Sequence, residues 1–424
     1  MPYKTFKIKD IGQVVGGGTP STTNPDYYGE NIPWITPKDL SDYKKRYIEH
    51  GEKNITKLGL ENSSAKLMPA GTVLLSSRAP IGYIAIAANE ICTNQGFKSI
   101  IPDKNQADSE FLYYTLKNRV EEIKDLGVGT TFAEISGKVL ENFEINLPEL
   151  DDQKKIASIL SNLDELIEIN QTINDNLLQM AKTVFDELIL NSSIKTEMKL
   201  TEIANFQNGL AMQNYRPIDG GWLPVLKIKE LNQGFCDQSS DRCRSNIDNS
   251  VLVENGDVVF SWSGSLIAKI WGGGKAGLNQ HLFKVSSVDY PKWFYYFWLQ
   301  YHMPDFVDIA ANKATTMGHI CRNHLEEAIV WKPENEVMET VDNTISPIFE
   351  MYIATSEESS KLIQLRDHLL PKLMSGEIDV STLELPTKYS FSILLGHILL
   401  MCILYILLID HCIMKRCINS HMSQ

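Results

Sequence analysis

The 424-residue sequence lacks the spacings that common catalytic and metal sites require. Its seven cysteines include no C-x-x-C pair and its nine histidines no H-x-x-x-H pair, so neither a zinc site nor a redox pair of this kind is indicated. Gly272-Gly273-Gly274-Lys275 lacks the following serine or threonine that completes a phosphate-binding loop. No apolar segment occurs in the first ten residues, so we predict no signal peptide, and the unpaired cysteines favour a reducing, cytoplasmic location.

Three other patterns have a functional and a structural interpretation. Six residues separate Cys236 from Cys243, and a metal site there is the less favoured interpretation. Asn24-Pro25-Asp26-Tyr27 is similar to the Asn-Pro-Pro-Tyr motif of adenine methyltransferases, but the second proline is missing and no glycine-rich strand precedes it. The aromatic run at 293–298 would suit base stacking, but a buried helix face is the favoured interpretation.

Positive charge is in short supply, since 40 basic side chains face 53 acidic ones and the net charge is -13. That balance argues against a generally basic nucleic-acid binder. The charge is uneven, however: -2 over 1–150, -4 over 151–195, -2 over 196–335, -7 over 336–385 and +2 over 386–424. The two long blocks are nearly neutral and can still present a local basic face.

An internal repeat spans most of the chain. Gly71 with the following Val-Leu-Leu-Ser matches Gly256 with the following Val-Val-Phe-Ser, at a shift of 185 residues. Asn94-Gln95 matches Asn279-Gln280 at the same shift. Further matches are Thr130-Thr131 with Thr315-Thr316 and Pro148 with Pro333. This period is too long for a solenoid, so it indicates two copies of one domain, each followed by a second element.

Each long block is predicted to mix helices and strands. In the first copy, strands are predicted at 73–77, 82–88 and 97–101, followed by an amphipathic helix at 108–126. We therefore predict an α+β fold with domains at 1–150 and 196–335, long helices at 151–195 and 336–385, and an atypical tail at 386–424.

The second element of each copy carries a heptad pattern that predicts a long helix. Its seam in the first copy consists of Ile156, Leu160, Leu163, Ile167, Asn170, Asn174, Leu177, Ala181, Val184 and Leu188. The seam in the second copy consists of Val341, Ile345, Ile348, Tyr352, Thr355, Ser359, Leu362, Arg366, Leu369 and Leu373. Both seams turn polar in the middle, which fixes register at some cost in stability. We expect the two helices to pack on each other, and Pro347 to shift the start of the second helix or kink it.

Five motifs resemble the specificity subunit of type I restriction–modification systems. The most specific runs from Leu365-Arg366-Asp367-His368 to Ser375-Gly376-Glu377-Ile378 and looks like the end of that family's second spacer helix. Gly17-Gly18-Thr19-Pro20 and Thr93-Asn94-Gln95-Gly96-Phe97 look like its target-recognition domain, as does the Pro-Trp-Ile block at 33–35. Asp152-Gln153-Lys154-Lys155-Ile156 looks like the start of its first spacer helix. The resemblance covers residues 1 to about 380.

The resemblance implies a non-catalytic, sequence-specific DNA-binding subunit. Two target-recognition domains, related by pseudo-twofold symmetry and held apart by two antiparallel coiled-coil helices, would read the two halves of a bipartite double-stranded target. The partners implied are methylation subunits and restriction subunits. S-adenosylmethionine, ATP and magnesium would be bound by those partners, and no cofactor by this chain.

Candidate DNA contacts follow from side-chain chemistry. Arginine and lysine can neutralise phosphates or reach guanine, asparagine and glutamine suit adenine, and threonine can bond phosphates. The candidates are Arg78, Asn94, Gln95, Lys98, Thr130, Thr131, Arg244, Asn279, Gln280, Lys284, Thr315, Thr316 and Arg322. For each, a capping or solvated structural role is the commoner alternative. Bases should be selected by residues that differ between the copies, such as Arg78 against Ser263.

Two other classes of function remain open. A solitary adenine methyltransferase with duplicated recognition domains would require a cofactor motif that the sequence does not show. A membrane-tethered coiled-coil interaction protein would use residues 391–409, which carry no formal charge and approach the length of a membrane span. A foreign extension after Leu385 is the favoured interpretation of that tail.

Overall fold

The computed structural model describes residues 2–41, 43–128, 133–218, 221–312 and 318–384. Within them, two mixed α/β units alternate with two long helices, which confirms the predicted fold class. The predicted features at Thr130, Thr131, Thr315, Thr316 and 391–409 lie outside the described residues. Over the described ranges, no helix is both apolar enough and long enough to cross a membrane.

The described part of the first unit contains ten strands, five short α-helices and the two 3-10 helices Pro25–Tyr27 and Pro37–Leu40. The strands are β1 Lys4–Lys7, β2 Gly12–Gly16, β3 Tyr28–Ile35, β4 Tyr47–Ile48, β5 Lys53–Ile55, β6 Val73–Ser77, β7 Ile81–Ala87, β8 Cys92–Thr93, β9 Lys98–Pro102 and β10 Glu144–Leu147. The helices are α1 Ile8–Ile11, α2 Lys57–Glu61, α3 Ser109–Asn118, α4 Val120–Asp125 and α5 Gly137–Glu141. A five-stranded sheet has the order β2-β9-β6-β7-β4, a three-stranded sheet the order β5-β3-β8, and β1 pairs with β10.

The strand predictions for this unit hold, but the single helix at 108–126 is wrong. The strand at 73–77 agrees in both bounds and the other two are displaced by one residue. The helix is divided into α3 and α4 because Arg119 leaves helical geometry, with φ of -112° and ψ of 23°. Its guanidinium covers the Phe143 ring at 4.4 Å and donates to the Glu144 carbonyl oxygen at 2.5 Å, contacts that no local pattern reveals.

The second unit repeats this arrangement. Its strands are β11 Lys195–Lys199, β12 Asn205–Asn208, β13 Trp222–Leu226, β14 Arg242–Arg244, β15 Leu252–Val253, β16 Val258–Ser261, β17 Ile267–Ile270, β18 Ala276–Leu278, β19 Leu282–Ser286 and β20 Ile329–Pro333. The sheet orders are β12-β19-β16-β17 and β14-β13-β18-β15, and β11 pairs with β20. The parallel pair β13–β18 corresponds to the parallel pair β3–β8 of the first unit.

A close backbone approach explains the matched glycines of the two copies. A Cβ atom on Gly17 would lie 1.9 Å from the Asn94 carbonyl oxygen, and one on Gly209 would lie 2.2 Å from that of Asn279. No side chain fits at either place, so glycine is required for the packing of this segment on the turn.

The long helices extend beyond both units and pair antiparallel. The short helices of the second unit are α7 Leu200–Ile203, α8 Ile228–Gln233, α9 Lys292–Tyr301, α10 Met303–Asn312 and α11 Arg322–Glu327, and the long helices are α6 Leu150–Phe185 and α12 Asn335–Ser375. A π-helical turn, Asp186–Leu190, continues α6. The antiparallel direction follows from two hydrogen bonds, Asn170 to Glu358 and Asn174 to Ser356. The residue number increases along α6 from one bond to the next while it decreases along α12.

The predicted seam lies between these helices. Except for the exposed Leu188, its members are buried or half-buried. The polar layer sits at the middle, with Asn170 and Asn174 as predicted, but their partners on α12 are Glu358 and Ser356 and not the predicted Thr355 and Ser359. Since the copies are shifted by 185 residues, the pseudo-twofold axis passes through this layer.

Of the two effects predicted for Pro347, a shifted start is wrong, because the exposed Pro347 lies inside a helix that begins at Asn335. The predicted kink stays a prediction.

The core of each unit includes parts of both long helices. The first unit packs on the beginning of α6, at Ile156 and Leu160, and on the end of α12, at Leu370 and Leu373. The second unit packs on the end of α6, at Phe185, and on the beginning of α12. Each unit is therefore attached to the helix pair at one end of it.

The variant Asn174→Leu is expected to raise the Tm by about 2–4 °C. Asn174 Oδ1 is a buried acceptor without a hydrogen-bond partner, and removing it avoids a desolvation cost of about 1 kcal/mol. Ser356 keeps its other hydrogen bond, to the Tyr352 carbonyl oxygen at 2.8 Å. Differential scanning calorimetry measures the change, with the exposed Asn176→Leu as control. An unchanged or lowered Tm for Asn174→Leu would contradict this account of the polar layer.

Candidate nucleic-acid interface

Each unit carries a surface that we call its tip, and the two tips share a backbone pairing. The backbone of Arg78 forms an isolated antiparallel β-bridge with Glu134 in the first unit. Ser263 forms the same β-bridge with His319 in the second unit, at positions related by 185 residues. The amide of Ile135 donates to the Ser77 carbonyl oxygen at 3.0 Å, and the amide of Ile320 donates to that of Trp262 at 3.0 Å. The two frames therefore share this bridge and this backbone hydrogen bond, while their side chains differ.

The first tip consists of Arg78, Lys98 and Glu134. The Glu134 carboxylate lies 3.6 Å from Arg78 Nη1 and 3.3 Å from Lys98 Nζ. Two cations thus share one carboxylate, which leaves a net positive charge. Arg78 and Glu134 are both about a third exposed, so these ion pairs are weak and can exchange for another anion.

The second tip consists of Trp262, Ser263, His281 and His319. His281 Nδ1 lies 3.1 Å from Ser263 Oγ, and the Trp262 ring lies 5.7 Å from the His281 ring and 6.4 Å from the His319 ring. Trp262 Nε1 donates to Asn208 Oδ1 at 3.3 Å. These four described residues include three rings and no lysine, arginine or carboxylate, in contrast to the first tip.

The Asn-Gln pairs form the turn beneath each tip. Asn94 Oδ1 accepts from the Gly96 amide at 2.9 Å and Asn279 Oδ1 accepts from the His281 amide at 3.3 Å, so both asparagines cap the turn. Asn279 is also buried. Gln95 is exposed and accepts from the Thr19 hydroxyl, and Gln280 Nε2 lies 3.3 Å from His281 Nε2. The glutamines are therefore better placed than the asparagines to face a ligand.

Three predicted cations of the second unit lie elsewhere. Lys284 Nζ is 2.7 Å from Asp257 and donates to the Leu252 carbonyl oxygen, so it is neutralised. Arg322 donates to the Phe206 carbonyl oxygen at 3.4 Å, and Arg244 lies over the Tyr215 ring at 4.9 Å. These contacts hold the three side chains to groups outside the second tip, and their contacts with DNA stay predictions.

Arg244 belongs instead to an arginine edge, formed by Tyr215, Trp222, Arg242 and Arg244. The Arg242 guanidinium stacks on the Trp222 ring at 4.1 Å, and Trp222 is 50% exposed. The sequence analysis missed this surface. The signal was present, because Arg242-Cys243-Arg244 on a strand places both arginines on one face and Cys243 on the other.

Two of the alternative interpretations can be compared with the structure. The aromatic run at 293–298 is a buried helix, with Trp298 0% exposed, so the base-stacking interpretation is wrong. Asn24 Oδ1 accepts from the Asp26 amide at 3.1 Å, which is a turn cap. Over the ranges that the structure describes, no group of three potential metal ligands occurs.

Comparisons with known proteins agree on one family. The family model described as "Type I restriction modification DNA specificity domain" matches residues 2–179. The MjaIX specificity subunit of a type I restriction enzyme from Methanocaldococcus jannaschii is 34% identical over 413 residues, which cover 89% of this chain and 94% of that relative. The HindI specificity subunit from Haemophilus influenzae is 32% identical over 159 residues, covering 36% of this chain and 34% of the relative.

A solved structure shares the fold. The type I restriction–modification S subunit from M. genitalium superimposes with a TM-score of 0.52 at 18% identity, over 88% of this chain and 96% of that one. Two α/β units with paired long helices are therefore an architecture already seen in a protein of that description.

Proposed function

This chain belongs to the family of type I restriction enzyme specificity subunits, and we propose that it reads a bipartite double-stranded DNA target, one half with each tip. One observation carries the proposal: the tips share their backbone frame at a shift of 185 residues but differ in side chains. A constant frame with variable chemistry suits two readers of unlike half-sites.

The first tip has the chemistry for a guanine or a phosphate. Arginine and lysine donate to guanine O6 and N7, and a carboxylate such as that of Glu134 accepts from cytosine N4. The Glu134 carboxylate, which now accepts from Lys98, would then exchange partners with a G·C pair. We infer that the first half-site includes G·C pairs opposite these three residues.

The second tip has a different selectivity. Ser263 and Gln280 offer neutral donors and acceptors, the two imidazoles offer ring nitrogens, and Trp262 offers an apolar ring for a thymine methyl group. Phosphate binding by this unit falls to Arg242 and Arg244 of the arginine edge, since Lys284 is neutralised.

The partners and cofactors belong to the same proposal. The helix pair would set the gap between half-sites and dock methylation subunits, which carry S-adenosylmethionine, and restriction subunits, which use ATP and magnesium. The chain itself would be non-catalytic. Support comes from charge: -11 of the net -13 lies in 151–195 and 336–385, and such acidic surfaces are better suited to a protein partner than to a phosphate backbone.

The double variant Arg78→Ser, Glu134→His gives the first tip two residues of the second. We expect the first half-site to change while the second half-site and the gap stay the same, because the shared frame accepts both sets of side chains. Mapping methylated adenines across a genome, with the full chain and its methylation subunits, measures the result.

A matched control is Lys104→Ser. Lys104 is exposed and follows the end of β9 opposite to Lys98, so its loss removes a cation from the first unit without touching the tip. An unchanged first half-site in the double variant, or a changed one in the control, would show that the tip does not select the bases.

A further inference from the structure

The two units are joined to the helix pair by unlike chemistry at matched positions. The first joint consists of Arg46, Glu110, Tyr114, Asp164, Glu168 and Arg366. At a shift of 185 residues, five of these positions carry Tyr295 for Glu110, Leu299 for Tyr114, Phe349 for Asp164, Ile353 for Glu168 and Ala181 for Arg366. The first joint is thus a polar network, whereas the matched positions of the second joint are mostly apolar.

In the first joint, Arg46 connects the unit to α6. Its backbone amide donates to Glu168 Oε1 at 3.0 Å and its Nε lies 3.4 Å from the same oxygen. Its Nη1 donates to Glu110 Oε1 of α3 at 2.8 Å. Arg46 is only 6% exposed, so these bonds are shielded from solvent.

Asp164 connects both long helices to the unit. Its Oδ1 accepts from Arg366 Nη1 of α12 at 2.6 Å and its Oδ2 accepts from the Tyr114 hydroxyl of α3 at 2.6 Å. Burial alone would raise the pKa of Asp164, but Lys117, Arg366 and Tyr114 together hold it below its ordinary value. The carboxylate is therefore charged in the joint.

The second joint has little directional bonding. The Phe349 ring packs 5.7 Å from Tyr296 and 5.5 Å from Phe297, and Phe185 packs 5.2 Å from Phe297. Trp293 Nε1 adds a hydrogen bond to Asp342 at 2.8 Å. Ring packing fills space, whereas charged hydrogen bonds from three elements fix an orientation.

We propose that Arg46 and Asp164 are positioning residues that set the angle of the first unit on the helix pair and thereby select the gap between the half-sites. The inference rests on the proposed function. Adding one base pair to a gap moves a half-site by about 3.4 Å and turns it by about 35°. A unit held by directed bonds cannot follow that rotation, while a loosened unit can.

The test measures binding by the full chain with its methylation subunits. The probes are duplexes carrying the target mapped by methylation sequencing, with the native gap or with one base pair added or removed, and a duplex carrying the first half-site alone. For Arg46→Met, we expect the preference for the native gap to fall about tenfold with affinity for the single half-site unchanged. Arg46→Lys, which keeps the charge, should lose less.

Two further variants make every outcome decisive. Lys38→Met breaks an ion pair of the same 2.8 Å length, to Glu52, on the surface of the first unit, and should leave the gap preference unchanged. If Arg46→Met also loses the single half-site, Glu168→Gln decides in the same assay. The deciding variant is Arg46→Met if it still binds the single half-site, and Glu168→Gln if it does not. If that variant keeps the full preference for the native gap, the inference is overturned. If the wild-type protein shows no sequence-specific binding, the proposed function is overturned.

Discussion

Replacing Asp164 by alanine is expected to lower the Tm of the unfolding transition by about 10 °C, since breaking a buried ion pair costs about 3–5 kcal/mol. The Arg366 guanidinium would be left half-buried without its 2.6 Å partner, and the Tyr114 hydroxyl without its acceptor. Asp164 is 4% exposed, so water cannot readily replace the carboxylate.

The matched control for Asp164→Ala is Asp367→Ala. Asp367 also binds Arg366, at 2.7 Å, but its side chain is exposed, so its loss should cost less than about 1 kcal/mol. Calorimetry on both variants compares the stability contributions of a buried and an exposed carboxylate that bind the same arginine. Equal shifts in Tm would contradict the role assigned to burial.

The same carboxylate gives stability a pH dependence. Because the pKa of Asp164 is lowered in the folded chain, its contribution is fully present above the unfolded value of about 3.9. It is lost as the pH falls through the lower folded value. The difference in Tm between wild type and Asp164→Asn should therefore shrink as the pH falls below about 4.

Deleting residues 170–176 and 355–361 together is expected to shorten the gap between half-sites without changing the bases read. Seven residues of helix span about 10.5 Å, the rise of about three base pairs. The seam stays in phase, because Ile167 is then followed by Leu177, and Tyr352 by Leu362, at heptad spacing. Methylation mapping measures gap and bases in one experiment.

The control deletes residues 170–176 alone. One shortened helix cannot match its partner along the seam. A unit at one end must therefore lose its packing on one of the two helices, and we expect poor recognition of both half-sites. If the double deletion changed the bases and kept the gap, the helices would not act as the spacer.

Local patterns predicted what depends on local chemistry. The strand Val73–Ser77 and the heptad seam follow from residues within a few positions of one another, and the repeat follows from comparing such short segments at a fixed shift. The seam even located the polar layer at Asn170 and Asn174, because a break in an apolar stripe is visible in any linear sequence.

Contacts between distant residues could not be predicted in this way. Glu134 lies 56 positions from Arg78, and Glu168 lies 122 positions from Arg46, so neither ion pair has a sequence signal. The residue type made Lys284 a candidate DNA contact but carried no sign of its ion pair with Asp257 at 2.7 Å. Charge type identified candidates, and only packing decided which of them share a surface.

The buried pair of Asp164 and Arg366 also bears on self-association. Under the pseudo-twofold, α6 paired with a copy of itself would place Asp164 against Ala181, and α12 paired with a copy of itself would place Arg366 against Phe349. Either homotypic pairing strands one charge in an apolar seam, at a cost of several kcal/mol. The two repeats have thus become complementary instead of interchangeable, and each long helix prefers the helix of the other repeat to a copy of itself.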